Sequence, residues 1–250
     1  NYTDGTNFVA TKDIYVSPHT PQIEGDNVLY NANQTALVYY PACYPGNFYY
    51  VKDGTKTILD NAFTGNKNLE VVTFPDSVKE VGCNIFTDCV KVKQVNFLGS
   101  DVPKAMGNSN VSFPTENEGF TIALLETTNN IAHQAKNNFV GDPMFGNYTP
   151  YYKEGYQIFF RDPIGGAGDG YFDTVSSIAV IGEKLNKIDV PYFYGYQGKW
   201  INPVTTSEYD FIPDVTISYE TYVSDCGNLS NKTNCVYAQY EVINYNIILT

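Results

Sequence analysis

Residues 46–68, GNFYYVKDGTKTILDNAFTGNKN, and residues 69–91, LEVVTFPDSVKEVGCNIFTDCVK, are two copies of one 23-residue unit. At that offset Phe48 falls on Val71, Val51 on Phe74, Asp53 on Asp76, Ile58 on Val81, Asn61 on Asn84, Phe63 on Phe86 and Asn66 on Cys89. A third copy begins at Val92, where Val95 and Phe97 take the places of Val72 and Phe74, and it loses register at Asp101. A unit of this length holds one short strand, a turn and a return segment. It cannot bury its apolar side alone, so neighbouring units must stack and share one core. The pattern predicts Val71 or Val72 with Phe74 along the strand, and Val78, Val81 and Phe86 filling the interior from the return side. Cys89 then lies where the chain turns inward, as a buried reduced thiol.

The unit LEVVTFPDSVKEVGCNIFTDCVK resembles the 23-residue repeat of the BspA-type leucine-rich repeat family. An apolar strand is followed by Pro-x-Ser-Val, a buried aliphatic-Gly, an aromatic and a Cys. The preceding GDNVLYNANQTALVYYPACYPGNFYYV resembles that family's recurrent hairpin insertion, and VNFLGSDVPKAM followed by GFTIAL its closing segment. The likeness runs from about Phe8 to Leu125. Lys52 stands where the repeat usually has Pro, Leu59 where it has Gly, and Asn66 where it has Cys. The resemblance implies an open, curved solenoid displayed at cell surfaces for adhesion or recognition. It implies no catalytic centre, so only structural positions carry over.

Beyond about Thr127 the repeat is lost. Residues 127–150 are polar, rich in Asn, Gly and Pro, and read as a linker or cap with a helical turn or two near Ile131–Lys136. Strand-like runs follow at Tyr156–Phe160, Ser177–Ile181 and Ile188–Tyr196. A final pair alternates over Val215–Val223 and Val236–Val242. The expected architecture is mainly β with an α/β solenoid part. A short leucine-rich-repeat solenoid over 1–126 leads through 127–150 to an antiparallel β-sandwich over 151–250.

Composition narrows the function. Fifteen basic against 27 acidic residues give a net charge of −12, which offers nothing to nucleic acid or an anionic membrane surface. No apolar run reaches the roughly 18 residues of a membrane span, so no membrane insertion is expected. Asn1, Asn33, Asn110, Asn147, Asn228 and Asn231 head Asn-x-Ser/Thr acceptors, about twice the chance number. Cys226 and Cys235 bracket GNLSNKTN at the tip of the last hairpin, where a disulfide would close a short exposed loop. Cys43, Cys83 and Cys89 have no assigned pairing, and the cysteine spacing fits no zinc pattern.

Reactive constellations are sparse. The two histidines, His19 and His133, stand apart from any Ser, Cys or carboxylate in triad or metal spacing. The stretch DPIGGAGDGYFD brings Asp162, Asp169 and Asp173 near glycines that let carbonyls approach a calcium ion, yet it matches no calcium loop. A Gly-rich inter-strand loop is the favoured reading, and no metal site is expected. Tyr192, Phe193, Tyr194, Tyr196 and Trp200 form either sheet packing or a recognition surface, and the N-terminal Asn1–Val16 reads as an extended strand for a neighbour. The expectation is a non-enzymatic extracellular or surface glycoprotein without a cofactor. It acts through other protein surfaces, as an adhesin or by self-assembly into a filament or lattice with further copies of itself. The alternative is a carbohydrate-binding module, with glycans as partners, or an accessory domain of a secreted hydrolase.

Overall fold

The computed structural model describes residues 14–16, 28–106, 111–126, 134–162, 173–190, 196–202, 206, 208 and 236–242. Among the described residues the fold is mainly β with few helices, and its repeat region is a β-solenoid of about four turns. Each unit contributes a longer strand to one sheet and a two-residue strand to another. The first set is β4 (Phe48–Tyr50), β6 (Val71–Phe74), β8 (Gln94–Phe97) and β10 (Thr121–Leu125), all parallel. The second is β5 (Thr57–Ile58), β7 (Glu80–Val81) and β9 (Lys104–Ala105). The hairpin of β2 (Leu29–Asn31) and β3 (Ala36–Tyr39) joins this second sheet beside β5, with β1 (Ile14–Val16) at its edge.

Strand pairing repeats the 23-residue offset. Val71 faces Gln94, Val72 faces Val95 and Phe74 faces Phe97 in register. β-branched and aromatic residues suit a pleated surface, and alternation sorts them. Val72, Phe74, Val95, Phe97, Ile122 and Leu124 point into the core, while Val71, Thr73, Gln94, Asn96, Thr121 and Ala123 point outward. The return segments stack through Asn61 N to Cys83 O (3.0 Å), Phe63 N to Ile85 O (3.0 Å) and Gly65 N to Thr87 O (2.8 Å). Asn61 and Asn84, equivalent in the repeat, both adopt left-handed backbone at φ 59° and 53°, which Asn tolerates. At Gly82 a Cβ would sit 2.4 Å from Asp60 N, so only glycine lets the two turns approach.

The interior is a run of aromatic rings. Phe63 stacks on Phe86 (centroids 5.2 Å apart), Phe74 meets Phe97 (5.1 Å), and Phe97 meets Phe139 (5.1 Å). Phe139 belongs to α1 (Gln134–Gly141) and contacts Phe145 of a 3-10 segment, Phe145–Tyr151. The helical turns expected near Ile131–Lys136 correspond over 134–136 to α1, which continues to Gly141 and brings Ala135 and Phe139 to the core; residues 131–133 lie outside the described residues.

Among the described residues the later strands join the repeat sheet, and the separate β-sandwich expected over 151–250 is not confirmed. β11 (Tyr152–Asp162) pairs parallel to β10 over Tyr152–Gly155, continuing the repeat sheet where β10 offers an open edge. From Gly155 it pairs antiparallel with β12 (Asp173–Val180), and at Phe160–Arg161 with β14 (Val236–Val242), which pairs with β13 (Tyr196–Ile201). All of these strands belong to one eight-stranded sheet, ordered β13-β14-β11-β10-β8-β6-β4 with β12 on β11. The strand expected over Ile188–Tyr196 is not formed at Ile188–Val190, where side-chain contacts take the place of a ladder. The expected strand Val215–Val223 lies outside the described residues.

Candidate interaction surface

The outward side chains of β4, β6 and β8 form two columns, Phe48–Val71–Gln94 and Tyr50–Thr73–Asn96. In an open solenoid these would face water. Here β12 and the segment after it lie across them, so both faces of β6 and β8 are buried. Asn96 Nδ2 donates to Thr73 Oγ1 at 2.8 Å within the repeat sheet and to Ser177 Oγ at 3.1 Å in β12. Gln94 Nε2 donates to Asn96 Oδ1 (2.6 Å) and to the Ile178 carbonyl (2.9 Å), while Gln94 Oε1 accepts from Asn186 Nδ2. The buried amides therefore find partners on both layers, as buried polar groups must. Because side chains alternate between the two faces of a strand, a slip of β12 by one residue would turn Ser177 away from Asn96.

Beside this network lies an apolar patch. Phe48 and Val71 of the repeat sheet pack in one cluster with Ile158, Phe160, Ala179, Leu185, Ile188, Trp200 and Ala238. Residues 181–190 run back over the face toward β4. Their start is held by Ile181 N to Glu154 O (2.9 Å) and the Lys153–Glu183 ion pair. Their far end meets Asn47, just before β4. Asn47 N donates to Asp189 Oδ2 (3.3 Å), its Nδ2 donates to Lys187 O (3.2 Å), and its Oδ1 accepts from Asp189 N (2.8 Å). This clasp is exposed, unlike the network it closes.

Trp200 is 4% exposed, with its indole on Phe160 (5.0 Å) and its Nε1 donating to Ile188 O at 2.8 Å. Its ring is thus spent on packing in this state, and not on an exposed stacking platform. Tyr196 begins β13; Tyr192, Phe193 and Tyr194 lie outside the described residues. Ile14–Val16, expected to reach for a neighbour, pairs instead with β2 of its own chain, whose edge is open to it. Asp162 and Asp173 stand opposite each other at the last rung between β11 and β12; Asp169 is outside the described residues. Asn33, in the β2–β3 turn, and Asn147, in the 3-10 segment, are exposed. Asn1, Asn110, Asn228, Asn231, Cys226 and Cys235 lie outside the described residues. Cys43 is exposed, Cys83 half-buried and Cys89 buried, and no disulfide joins these three. A cleft of about 280 Å³ opens beside α1, lined by Asp76, Lys79, Leu98, Ser100, Asp101 and Leu125, with Lys79 and Asp101 paired at 3.1 Å.

Residues 41–138 match the sequence profile of the BspA type leucine rich repeat region, in six copies. This segment is a BspA-type leucine-rich repeat array. Repeats of this family serve protein–protein contact and occur in many surface proteins. A leucine-rich repeat protein from Eubacterium ventriosum ATCC 27560, solved by crystallography, is similar at 21% identity and a TM-score of 0.29. The likeness covers 41% of this chain and 32% of that one, so it spans about a third of the solved protein's length. No curated protein matches the chain. Gln94, Asn96 and Ser177 were not distinguished by the sequence as site residues. Polar side chains at outward strand positions read as solvent-facing, and only the shared column of Thr73 and Asn96 marks them as neighbours.

Proposed function

We propose that this protein is a non-enzymatic extracellular or cell-surface glycoprotein that works by protein–protein contact, as an adhesin or a self-assembling subunit. What carries this reading is that the repeat sheet already grips a polypeptide segment by side-chain-specific contacts, Asn96 to Ser177 and Gln94 to Ile178 O. Charge supports it. Within residues 28–106 seven lysines balance seven acidic residues, so the repeat surface is near neutral and the acidic excess lies elsewhere. A neutral, polar and aromatic surface suits a protein partner better than a polyanion. The exposed acceptors Asn33 and Asn147 suit glycan attachment, with the remaining four acceptors and the Cys226–Cys235 bond as part of the same secretory reading. Among the described residues no helix is long and apolar enough to cross a membrane.

Sedimentation velocity over a wide range of protein concentration tests assembly, together with intact mass before and after enzymatic removal of N-glycans. Concentration-dependent association and a glycan mass shift are expected. A strict monomer throughout, with glycans in place, removes self-assembly and leaves adhesion to a different protein; the absence of any glycan mass removes the glycoprotein part.

A further inference from the structure

The parallel strands β6, β8 and β10 end at Phe74, Phe97 and Leu125, and the chain leaving them lines the cleft of about 280 Å³ beside α1. The carboxyl edge of a parallel sheet is where departing loops leave crevices for ligands. This crevice is tied on two sides. Leu98 N donates to Phe74 O at 3.0 Å, and Asn138 Nδ2 of α1 donates to Ser100 O at 2.9 Å. Its size falls just below the roughly 300–1,000 Å³ of clefts that take whole small molecules, so it suits a single side chain. Leu98, Leu125 and Ala135 give it an apolar wall, and Asp76, Lys79 and Asp101 give it charge. Lys79 is engaged with Asp101 at 3.1 Å, whereas Asp76 is exposed and meets no cation among the described residues. Two carboxylates against one ammonium leave one negative charge unanswered. Asp53, the equivalent of Asp76 one repeat earlier, adds to the same field. Burial first, then the hydrogen bond to Asp53 and the charges of Asp53 and Asp76, push the Tyr50 hydroxyl above its ordinary range.

We propose that this cleft receives a lysine side chain of a partner protein, with its ammonium on Asp76 and its methylene stem along Leu98 and Leu125. The fit is one of charge and shape together: a lysine is apolar along its stem and charged only at its tip, as the cleft is apolar along its wall and negative at its mouth. A net charge of −12 draws a basic segment toward the chain before contact is made. The inference rests on the protein-contact function proposed above and gives it a partner chemistry, a segment that presents an exposed lysine.

The test titrates the full chain with Nα-acetyl-lysine N-methylamide and follows its backbone amides by two-dimensional NMR. Shifts should concentrate at Leu98–Asp101 and Leu125 and saturate as one site. Nα-acetyl-norleucine N-methylamide, which keeps the stem without the ammonium, should bind about fivefold more weakly. Asp76→Asn should weaken the lysine probe by a similar factor, and Asp76→Lys should abolish its binding, both with an unchanged circular dichroism spectrum. Glucosamine carries its ammonium on a polar ring and should not displace the probe. Shifts confined to other regions, equal binding of the norleucine probe, or an unchanged affinity in Asp76→Asn overturns the lysine cleft. Displacement by glucosamine at equal concentration overturns the assignment to a protein side chain. Absence of binding overturns the cleft as well; if the full chain still associates in sedimentation, the protein-contact function stands without it.

Discussion

Asn66 and Cys89 hold the same place one repeat apart and solve the same problem differently. Asn66 donates through Nδ2 to Pro41 O at 2.8 Å and accepts through Oδ1 from Asn68 N and Leu69 N; Cys89 donates through Sγ to Phe63 O at 3.0 Å. Both side chains turn a corner inward and satisfy backbone groups that burial would otherwise strand. The substitution of Asn for Cys therefore keeps the corner, which explains why the array tolerates it. Burial pushes the Cys89 thiol up to about 11. In the unfolded chain a thiol ionises near 8.5, so the protonated form favours the fold fully below about pH 8.5, and that contribution is lost as pH rises through about 11. Thermal melts across that range should fall more steeply with pH for the native chain than for Cys89→Ala. A thiol reagent at neutral pH should label exposed Cys43 at once and Cys89 only on unfolding. Phe86 lies stacked on Phe63 and close to Phe74, and is nearly closed to solvent. Phe86→Ala should cost about 3–5 kcal/mol in denaturant unfolding through the cavity it leaves.

At the scale of the element, stacking depends on how closely one turn can approach the next. Gly82 N donates to Ile58 O at 2.7 Å, and a Cβ there would strike the backbone and carboxylate of Asp60. Gly82→Ala should destabilise the array by about 1–3 kcal/mol in the same unfolding measurement. Gly141→Ala, at the end of α1 where a Cβ meets nothing, should stay within about 0.5 kcal/mol. The solenoid was legible because its signal is repeated: Phe63 and Phe86, Asn61 and Asn84, and Val72 and Val95 each occupy matching places at the offset the sequence displays. β11, β12 and β14 were legible as strands by their alternation, but their pairing was not. β11 turns from β10 to β12 at Gly155, where a Cβ would sit 2.2 Å from Ala179 O, and a single glycine in a strand does not announce which partner presses on it. The site was hidden for a related reason. Val71 reads as core and Gln94 as surface, yet both lie under later parts of the chain: Val71 in the cluster with Ile158, Phe160, Ala179 and Trp200, Gln94 against Ile178 O.

Over the whole molecule, the hydrogen bonds between Asn47 and Asp189 and between Asn96 and Ser177 join positions 142 and 81 residues apart. The aromatic core likewise runs unbroken from Tyr40 through Phe63 and Phe97 to Tyr152. Such cross-ties couple repeats that would otherwise unfold one by one, because opening a repeat also uncovers the second layer. The chain has a single tryptophan, Trp200, and it sits in the cluster that bridges Phe48 and Val71 to the later strands. Its fluorescence therefore reports on the second layer, while far-ultraviolet circular dichroism reports on the sheets of both halves. Denaturant titrations followed by the two signals should superimpose, with one midpoint. Phe86→Ala, confined to the repeat core, should move the Trp200 transition as far as it moves the dichroism transition. Two separated transitions, or a Trp200 midpoint indifferent to Phe86→Ala, would show the halves folding independently. The second layer would then be an appendage to the repeats, and not the tie that makes their open stack cooperative.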